Sequence, residues 1–245
     1  MKDGDFVTID YVARVKDTGE IFDLTDEALA KKESMYREDV NYGPVTFIVG
    51  ANFVIRGLDE ALHSMEVGEK KSIEISPDKA FGPRHDELVK LVPESQFKQQ
   101  DMKPSPGAFV NVNNIRGRIV SVSGGRVKVD FNHPLAGKTL QYEIEVKGQI
   151  TDRNEKVNSI LDYFTGKSGK VKVGKVSDNE VEIETGVDVQ RRLKELIATT
   201  ISKWIGVKTV KFVDVFRHEE LRQGEQKQEE GQAAESKAGG KAVKS

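Results

Sequence analysis

Short segments of alternating apolar and polar residues, separated by turns, dominate the first 150 residues and limit the folds open to this chain. Alternation with a period of two is typical of β-strands that bury one face, and Asp17-Thr-Gly19 is typical of a turn between two such strands. The predicted strands cover 6–15, 20–23, 45–49, 70–76, 88–92, 108–112, 118–122, 126–131 and 139–150. A chain with this many strands must build sheets, and each sheet needs an apolar partner.

Two helices are predicted among these strands. Between residues 54 and 65, apolar residues recur three and four positions apart, which predicts a helix packed by one face. These residues are Val54, Ile55, Leu58, Ala61, Leu62 and Met65. Residues 26–37 favour a helix by composition, but their apolar stripe is thin, which indicates a surface helix. The predicted fold class is α+β.

Residues 84–131 are interpreted as a small β-rich unit of their own, inserted between two loops of the surrounding domain. Pro104, Pro106 and Gly107 punctuate this segment, and Ser123-Gly-Gly125 makes a tight connection between its last two strands. The surrounding domain is then made of two pieces, 1–83 and 132–151, and the strand over 139–150 closes its sheet.

A separate α+β module is predicted over 152–218. It begins with a helix that Asn154 caps and Gly166 ends, followed by a hairpin over 170–176 and 180–184. The strongest amphipathic helix of the chain then runs from Val189 to Trp204, and a strand over 207–216 completes the module. Residues 219–245 have no aromatic residue to bury, so we expect a disordered tail.

These boundaries uncover a charge asymmetry that the net charge of −2 hides. Residues 1–83 and 132–151 together carry 12 basic and 19 acidic residues. The insert over 84–131 carries 8 basic and 5 acidic residues, and 152–218 carries 13 and 10. An acidic domain therefore bears two mildly basic modules, which indicates separate surfaces for separate partners.

Several classes of protein are excluded. Cysteine is absent, which removes disulfide frameworks, thiolate zinc sites and cysteine nucleophiles. No apolar run approaches the roughly 20 residues that a bilayer demands, and the first residues lack the pattern of a secretory signal. We expect a soluble cytoplasmic protein with no membrane partner.

The common catalytic signatures are also missing from the sequence. It has no phosphate-binding glycine loop, no histidine pair at metal-ligand spacing and no nucleophile elbow. The four histidines, His63, His85, His133 and His218, are scattered, and we expect structural or solvent-exposed roles for them. No cofactor and no metal site are predicted.

Four segments carry a specific resemblance. They are GEIFD at 19–23, FIVGANFVIRGLDEAL at 47–62, VGEKKSIEISPDKAFG at 67–82 and NHPLAGKTLQYEIEV at 132–146. In this order they closely resemble the FKBP-type peptidyl-prolyl cis-trans isomerases. The segment after the AFG loop resembles the insert-in-flap domain of SlyD-like members, and the whole layout is similar to the long archaeal members. The resemblance implies an antiparallel half-barrel sheet wrapped on a short helix.

The resemblance also implies a substrate pocket and its residues. The implied catalytic residues are Tyr11, Asp23, Ile55, Phe81 and Tyr142, and the implied substrate-binding residues are Phe22, Phe47, Val54 and Leu58. In the family, the backbone amide at the position of Ile55 and a phenol at the position of Phe81 contact the bound chain. For the insert, the resemblance implies a surface for unfolded chains, to which we assign Leu91, Phe97 and Phe109.

Three pocket positions depart from the family pattern. Phe81 has no hydroxyl, so the polar contact of that position is absent. Leu58 stands where many members have tryptophan, which predicts a shallower or wider floor. Tyr142 replaces a common phenylalanine and adds a hydroxyl.

The chemistry of proline isomerisation suits an apolar pocket. Rotation about an X-Pro bond must overcome a barrier of roughly 18–20 kcal/mol that comes from amide resonance. An apolar aromatic environment weakens that resonance, so neither a nucleophile nor a metal is required. Asp23 would be a costly charge among apolar residues unless it is hydrogen-bonded, so we expect it to be paired and to orient a neighbour.

Other interpretations of the same residues remain open. The apolar pocket positions taken singly are also what a plain core needs, and the chain could be a non-catalytic holdase or assembly platform with a degenerate pocket. The expected partners are unfolded or partly folded polypeptides that contain proline. The helix that carries Trp204 permits a homodimer through the C-terminal module. The basic runs Arg116-Gly-Arg118 and 191–194 fit solvated faces better than nucleic-acid contacts.

Overall fold

The computed structural model describes residues 1–98, 102–166 and 169–216. The predicted disordered tail over 219–245 and His218 lie outside the described residues. The chain forms two compact units, Met1–Ile150 and Thr151–Ser245. None of the helices within the described ranges combines the length and the apolar character needed to cross a bilayer.

The described chain has twelve strands and five α-helices. The strands are β1 (Phe6–Val15), β2 (Ile21–Leu24), β3 (Val45–Ile48), β4 (Lys70–Ile75), β5 (Val89–Pro93), β6 (Phe109–Val112), β7 (Ile115–Ser123), β8 (Arg126–Asp130), β9 (Leu140–Ile150), β10 (Val171–Val176), β11 (Glu180–Thr185) and β12 (Thr209–Asp214). The helices are α1 (Glu27–Lys32), α2 (Arg56–His63), α3 (Glu94–Lys98), α4 (Arg153–Thr165) and α5 (Arg191–Ile205). Helices and mainly antiparallel strands confirm the predicted α+β fold class.

The main sheet of the first unit has five antiparallel strands in the order β2-β1-β9-β4, and β3 also pairs with β1. The two long strands β1 and β9 pair along their whole length, from Phe6 opposite Ile150 to Val15 opposite Leu140. Helix α2 packs Leu58 and Leu62 into the core of this sheet. Gly57 permits the close approach, because a Cβ at this position would collide with the side chain of Ile75 on β4.

The two helices that were predicted for the first unit, α1 and α2, are both shorter than predicted. Asp26 caps α1 by accepting a hydrogen bond from the Leu29 amide at 2.9 Å, and the helix ends before Ser34, whose φ of 58° is left-handed. The thin stripe is the reason, because Ala30 is the only residue of α1 that is buried. Helix α2 begins at Arg56, so Val54 and Ile55 lie in the loop that precedes it.

The insert forms a four-stranded antiparallel sheet in the order β5-β8-β7-β6. Its buried core residues are Val92, Phe97, Val110, Ile119, Val127 and Val129. Helix α3, which the sequence patterns did not predict, contributes Phe97 to this core. The described part of the insert therefore has an apolar core of its own.

The second unit combines α4 and α5 with the sheet β10-β11-β12, in which β11 and β12 run parallel and α5 connects them. Asp152 caps α4 by accepting from the Glu155 amide at 2.9 Å, so the predicted cap at Asn154 is wrong. Asn154 is already the second residue of the helix, where its side chain cannot serve as the cap. Gly166 and Gly206 end the two helices as predicted, and Trp204 is half-buried.

Candidate active site

An aromatic cluster lies on the core side of the main sheet, and Tyr142 is at its centre. Tyr142 on β9 is opposite Ala13 of β1, so it lies between β1 and β4. Its ring centroid is 5.8 Å from that of Tyr11 and 6.0 Å from that of Phe22, with Phe22 edge-on. Edge-on and tilted geometries are the favourable ones for aromatic pairs. Three strands thus bring together three residues that are far apart in the sequence.

Asp23 joins this cluster through a hydrogen bond. The hydroxyl of Tyr11 donates to Oδ2 of Asp23 at 2.8 Å, which is the pairing that the sequence argument predicted. Asp23 itself is exposed, so its charge stays in contact with water. Burial and the nearby Asp23 carboxylate raise the pKa of Tyr11 above its usual value. The proton therefore stays on the phenol, and Asp23 orients the ring without taking part in proton transfer.

The hydroxyl of Tyr142 is a free donor at the surface of the pocket. It has no hydrogen-bond partner among the described residues, and no side-chain polar atom there is both buried and unpaired. The hydroxyl must therefore reach solvent, although the residue as a whole is only 5% exposed. Burial, followed by the charge of Asp23, raises the pKa of Tyr142, so this hydroxyl remains protonated.

The backbone before α2 offers a second free donor. The carbonyl of Ile55 accepts hydrogen bonds from the amides of Leu58 and Asp59 at 3.0 and 3.1 Å, which makes Ile55 the N-cap residue of α2. Its own amide donates no hydrogen bond within the described ranges. The amide groups at a helix start have no partner inside the helix, so this one is available to a bound carbonyl.

Asp59, which was not among the predicted site residues, holds the loop that carries Val54 and Ile55. Its side chain is 9% exposed and accepts a hydrogen bond from the Gly50 amide at 3.0 Å. This bond ties the start of the loop to the helix that follows it. The sequence contained one signal for this role of Asp59, which is its position directly after Leu58 on the apolar face of the helix. An acidic residue that is buried beside such a face needs a hydrogen-bond partner.

The far wall of the pocket is Phe81, which stacks on His133. The two ring centroids are 4.3 Å apart and the rings are within 6° of parallel. Nδ1 of His133 accepts from the Leu135 amide at 3.2 Å, and the Gly137 amide donates to the Gly82 carbonyl at 2.8 Å. The AFG loop is therefore fixed to the NHPLAG loop. No specific role was predicted for His133, although this residue is part of the NHPLAG motif.

The structure brings the predicted pocket residues onto one core. Leu58 and Tyr142 are buried members of the core cluster of the main sheet. The partly buried residues packed against it include Tyr11, Phe22, Phe47, Val54, Ile55 and Phe81. Asp23 is linked to them through Tyr11. Leu58, at 2% exposure, lies beneath the others as a floor residue.

The three predicted insert residues have different surroundings. Leu91 and Phe109 are 61% and 50% exposed, and the guanidinium of Arg116 lies over the Phe109 ring at 4.4 Å from its centroid. Phe97 is 2% exposed within the insert core. Its burial does not fit the client contact predicted for it, because 48 residues need such a side chain to fill their core.

The geometry of the pocket suits rotation about a peptide bond. Tyr11, Phe22 and Phe81 pack against one apolar core, and the amide of Ile55 beside them has no hydrogen-bond partner within the described ranges. An apolar site that fixes the backbone favours the twisted amide, which has lost its resonance, over the planar ground state. Each tenfold acceleration requires about 1.36 kcal/mol of such preference.

Comparison with known proteins agrees with this geometry. A family model described as FKBP26, IF domain, matches residues 90–135. A short-type peptidyl-prolyl cis-trans isomerase of Methanocaldococcus jannaschii is 37% identical over 147 residues, which are 60% of this chain and 92% of the relative. The FKBP-type isomerase SlyD of Helicobacter pylori is 34% identical over 45% of this chain and 61% of its own length. An FKBP-type 16 kDa isomerase of Escherichia coli is 32% identical over 43% of this chain and 74% of its own length. The chain therefore belongs to the FKBP-type peptidyl-prolyl cis-trans isomerases.

Proposed function

We propose that the insert captures unfolded polypeptides and that the pocket isomerises the prolines of the captured chain. The observation that carries this proposal is an apolar groove of about 430 Å³ on the insert, lined by residues that include Leu88, Leu91 and Ile115. These three side chains are 39%, 61% and 58% exposed. Exposed apolar surface of this kind is typical of protein-binding sites.

The connection between insert and pocket supports the same function. Arg84 forms an ion pair with Asp130 at 2.8 Å, and the side chain of Asn132 both accepts from the His85 amide and donates to its carbonyl. These contacts join the two chain segments that enter and leave the insert. A client held on the insert thus stays near the pocket, and tethering raises the local concentration of its prolines.

The isomerase class of the relatives leaves no reason to retain the non-catalytic holdase. Leu58 and Phe81 depart from the family pattern, which changes the floor of the pocket and removes one polar contact. The free amide of Ile55 and the hydrogen bond from Tyr11 to Asp23 are both present. The predicted dimer through the Trp204 helix stays a prediction.

Removal of residues 84–131 tests the proposal. A short linker can replace them, because the Phe131 amide donates to the Leu88 carbonyl at 3.0 Å, so the two ends of the insert lie side by side. We expect an unchanged rate on a proline tetrapeptide and at least tenfold slower catalysis of a proline-limited protein refolding reaction. Equal refolding rates with and without the insert would contradict capture.

A matched pair of point variants separates capture from folding defects. Leu91→Asn with Ile115→Asn removes apolar surface from the groove at two exposed positions. Val67→Asn makes the same kind of change at a 55% exposed position outside the insert. We expect the double variant to reproduce the refolding defect and the Val67 variant to behave as the parent protein. Equal refolding rates with the double variant and the Val67 variant would contradict capture at the apolar groove.

A further inference from the structure

A second groove on the first unit has a different chemistry. It measures about 920 Å³ and runs between the insert sheet and the NHPLAG loop, and we call it the basic groove. The residues that give it its character are Arg84, Phe109, Arg116, Arg118, His133 and Lys138. None of these residues lines the apolar groove around Leu88, Leu91 and Ile115.

Strand register places three of these residues on one face of the insert sheet. Phe109 of β6 is directly opposite Arg118 of β7, and Arg116 is two residues before Arg118 on the same strand. Opposite residues in an antiparallel pair, and residues two apart along a strand, share a face. The buried Gly117 and Ile119 point to the other face, into the insert core. Phe109 and the two arginines therefore form a continuous exposed patch.

Three of the four cationic side chains of the basic groove have no ion-pair partner in the described part of the protein, the exception being Arg84. Asp130 is the one carboxylate residue among those lining it, and this side chain is engaged by Arg84 and by Asn132. Within the described ranges, Arg116, Arg118 and Lys138 have no ion-pair partner. Three cations thus face the groove, although the domain around the insert is acidic.

The basic groove also reaches the catalytic pocket. His133 lines the groove and stacks on Phe81, which is the far wall of the pocket. A polypeptide that leaves the pocket on this side enters the groove that Lys138 and the two arginines line. Acidic residues near the proline of such a chain can therefore meet these cations.

We propose that the basic groove binds acidic polypeptide segments, so that the protein favours clients with aspartate or glutamate close to the proline. This inference rests on the proposed capture of clients and adds the chemical class of the client. Charge complementarity supports it, because unpaired cations beside an acidic chain gain ion pairs without losing existing ones. The exposed Phe109 and Val120 add apolar contact for the neighbouring side chains.

A polypeptide fits this groove better than a nucleic acid does. Single-stranded nucleic acids bind by stacking bases on free aromatic faces. The ring of Phe109 is covered by the Arg116 guanidinium, and one face of His133 is occupied by Phe81. One face of each of these two rings is therefore already engaged, which leaves less surface on which bases could stack.

The test uses three fluorescent peptides of equal length, each with one proline flanked by glutamate, glutamine or lysine. Affinities for the full chain are measured by fluorescence anisotropy at low and high salt. We expect the glutamate peptide to bind about tenfold more tightly than the glutamine peptide at low salt, since each of its two flanking glutamates can form an exposed ion pair that contributes at most about fivefold. The preference should shrink as salt screens the charges.

The variant Arg116→Gln with Arg118→Gln should abolish the preference for glutamate. Its matched control is Arg126→Gln with Lys128→Gln, which removes two exposed cations from β8 of the same sheet, outside the groove. Circular dichroism and the rate on a proline tetrapeptide should be unchanged in both variants, because all four positions are exposed.

The outcomes separate this inference from the proposed function. Equal binding of the glutamate and glutamine peptides would overturn the acidic preference and leave capture intact. Failure of all three peptides to bind would overturn capture itself. An equal loss of the preference for glutamate in the Arg116/Arg118 variant and in the Arg126/Lys128 control would show a general charge effect. That result would overturn the assignment of the preference to the basic groove. Binding of a single-stranded RNA that Arg116→Gln with Arg118→Gln abolishes, without any effect on the peptides, would assign the groove to nucleic acid.

Discussion

The isomerase pocket and the insert both present apolar side chains at their surfaces, but they hold them in different ways. In the pocket, Tyr11 is fixed by Asp23, Phe81 is fixed by His133, and both pack on the core of a five-stranded sheet. On the insert, Leu91 and Phe109 stand on a four-stranded sheet with a much smaller core. The pocket is therefore built for fixed geometry, and the insert is built for adaptable contact.

The difference follows from what each site has to bind. Catalysis of bond rotation needs a fixed preference for one twisted geometry, and a misplaced ring would lose that preference. The proposed capture of unfolded chains needs contact with many sequences, and exposed apolar residues on a small sheet suit that role. Size alone enforces part of this, because 48 residues cannot bury all of their apolar side chains.

The largest effects are expected from truncating the two cores. Leu62→Ala in α2 and Ile119→Ala in β7 each remove a fully buried side chain, at 0% and 1% exposure, and such changes cost about 2–5 kcal/mol. Because each sheet has its own core, we expect Leu62→Ala to destabilise the pocket and Ile119→Ala to open only the insert. Hydrogen exchange followed by mass spectrometry resolves the two regions in one sample.

Activity assays sharpen the same comparison. Leu62→Ala should reduce turnover of a proline tetrapeptide on mild heating, whereas Ile119→Ala should leave it unchanged and impair protein refolding alone. Increased exchange throughout residues 1–150 in the Ile119 variant would contradict the idea that the two cores are independent.

A smaller effect is expected from Tyr11→Phe, which removes the hydrogen bond to Asp23 and keeps the ring. Asp23 is exposed and stays hydrated, so the loss in free energy of unfolding should be below about 1.5 kcal/mol. We expect kcat/KM for a proline tetrapeptide to fall roughly tenfold, because the ring beside Tyr142 is no longer held. Tyr36→Phe is the control, since Tyr36 lies outside the pocket. A kcat/KM equal to that of the parent protein would refute the positioning role.

The smallest effect is a dependence on alkaline pH. Burial raises the pKa values of Tyr11 and Tyr142 in the folded chain above the usual value of 10.0. Above pH 10 the unfolded chain loses these protons while the folded chain retains them, so the free energy of unfolding falls as pH rises. We expect a flatter decline in Tyr11→Phe with Tyr142→Phe, measured by denaturant unfolding between pH 9 and 11. The insert contains no tyrosine, so its hydrogen exchange should not respond to these substitutions.

Much of the fold could be predicted from local patterns. The alternation over 6–15 and 139–150 predicted the two strands that form the centre of the main sheet, and the spacing around Leu58 predicted α2. Glycines 166 and 206 marked the helix ends, because their positive φ angles are costly for other residues. Helix α3 escaped prediction, since five residues are too short to display a periodicity.

The candidate site was predictable in part, through motifs that resemble a known family. Pairing of Asp23 was predicted from the cost of a charge among apolar residues, and the hydrogen bond is present although the carboxylate is exposed and does not bear that cost. The partner of Phe81 did not follow, because His133 is 52 positions away in the sequence and no local pattern links the two. The burial of Phe97 was also missed, because an apolar residue in a short segment fits a core and a contact surface equally well.

The sequence by itself determined most of the strands and helices and which residue types are available for chemistry, while the boundaries of the insert stay a prediction. Those properties depend on neighbours along the chain, which the sequence displays directly. Tertiary structure decided that the Tyr142 hydroxyl reaches solvent, that His133 supports Phe81, and that three unpaired cations share a groove with Phe109. These depend on strand register and on contacts between distant segments, where a shift of one residue would turn each side chain to the opposite face.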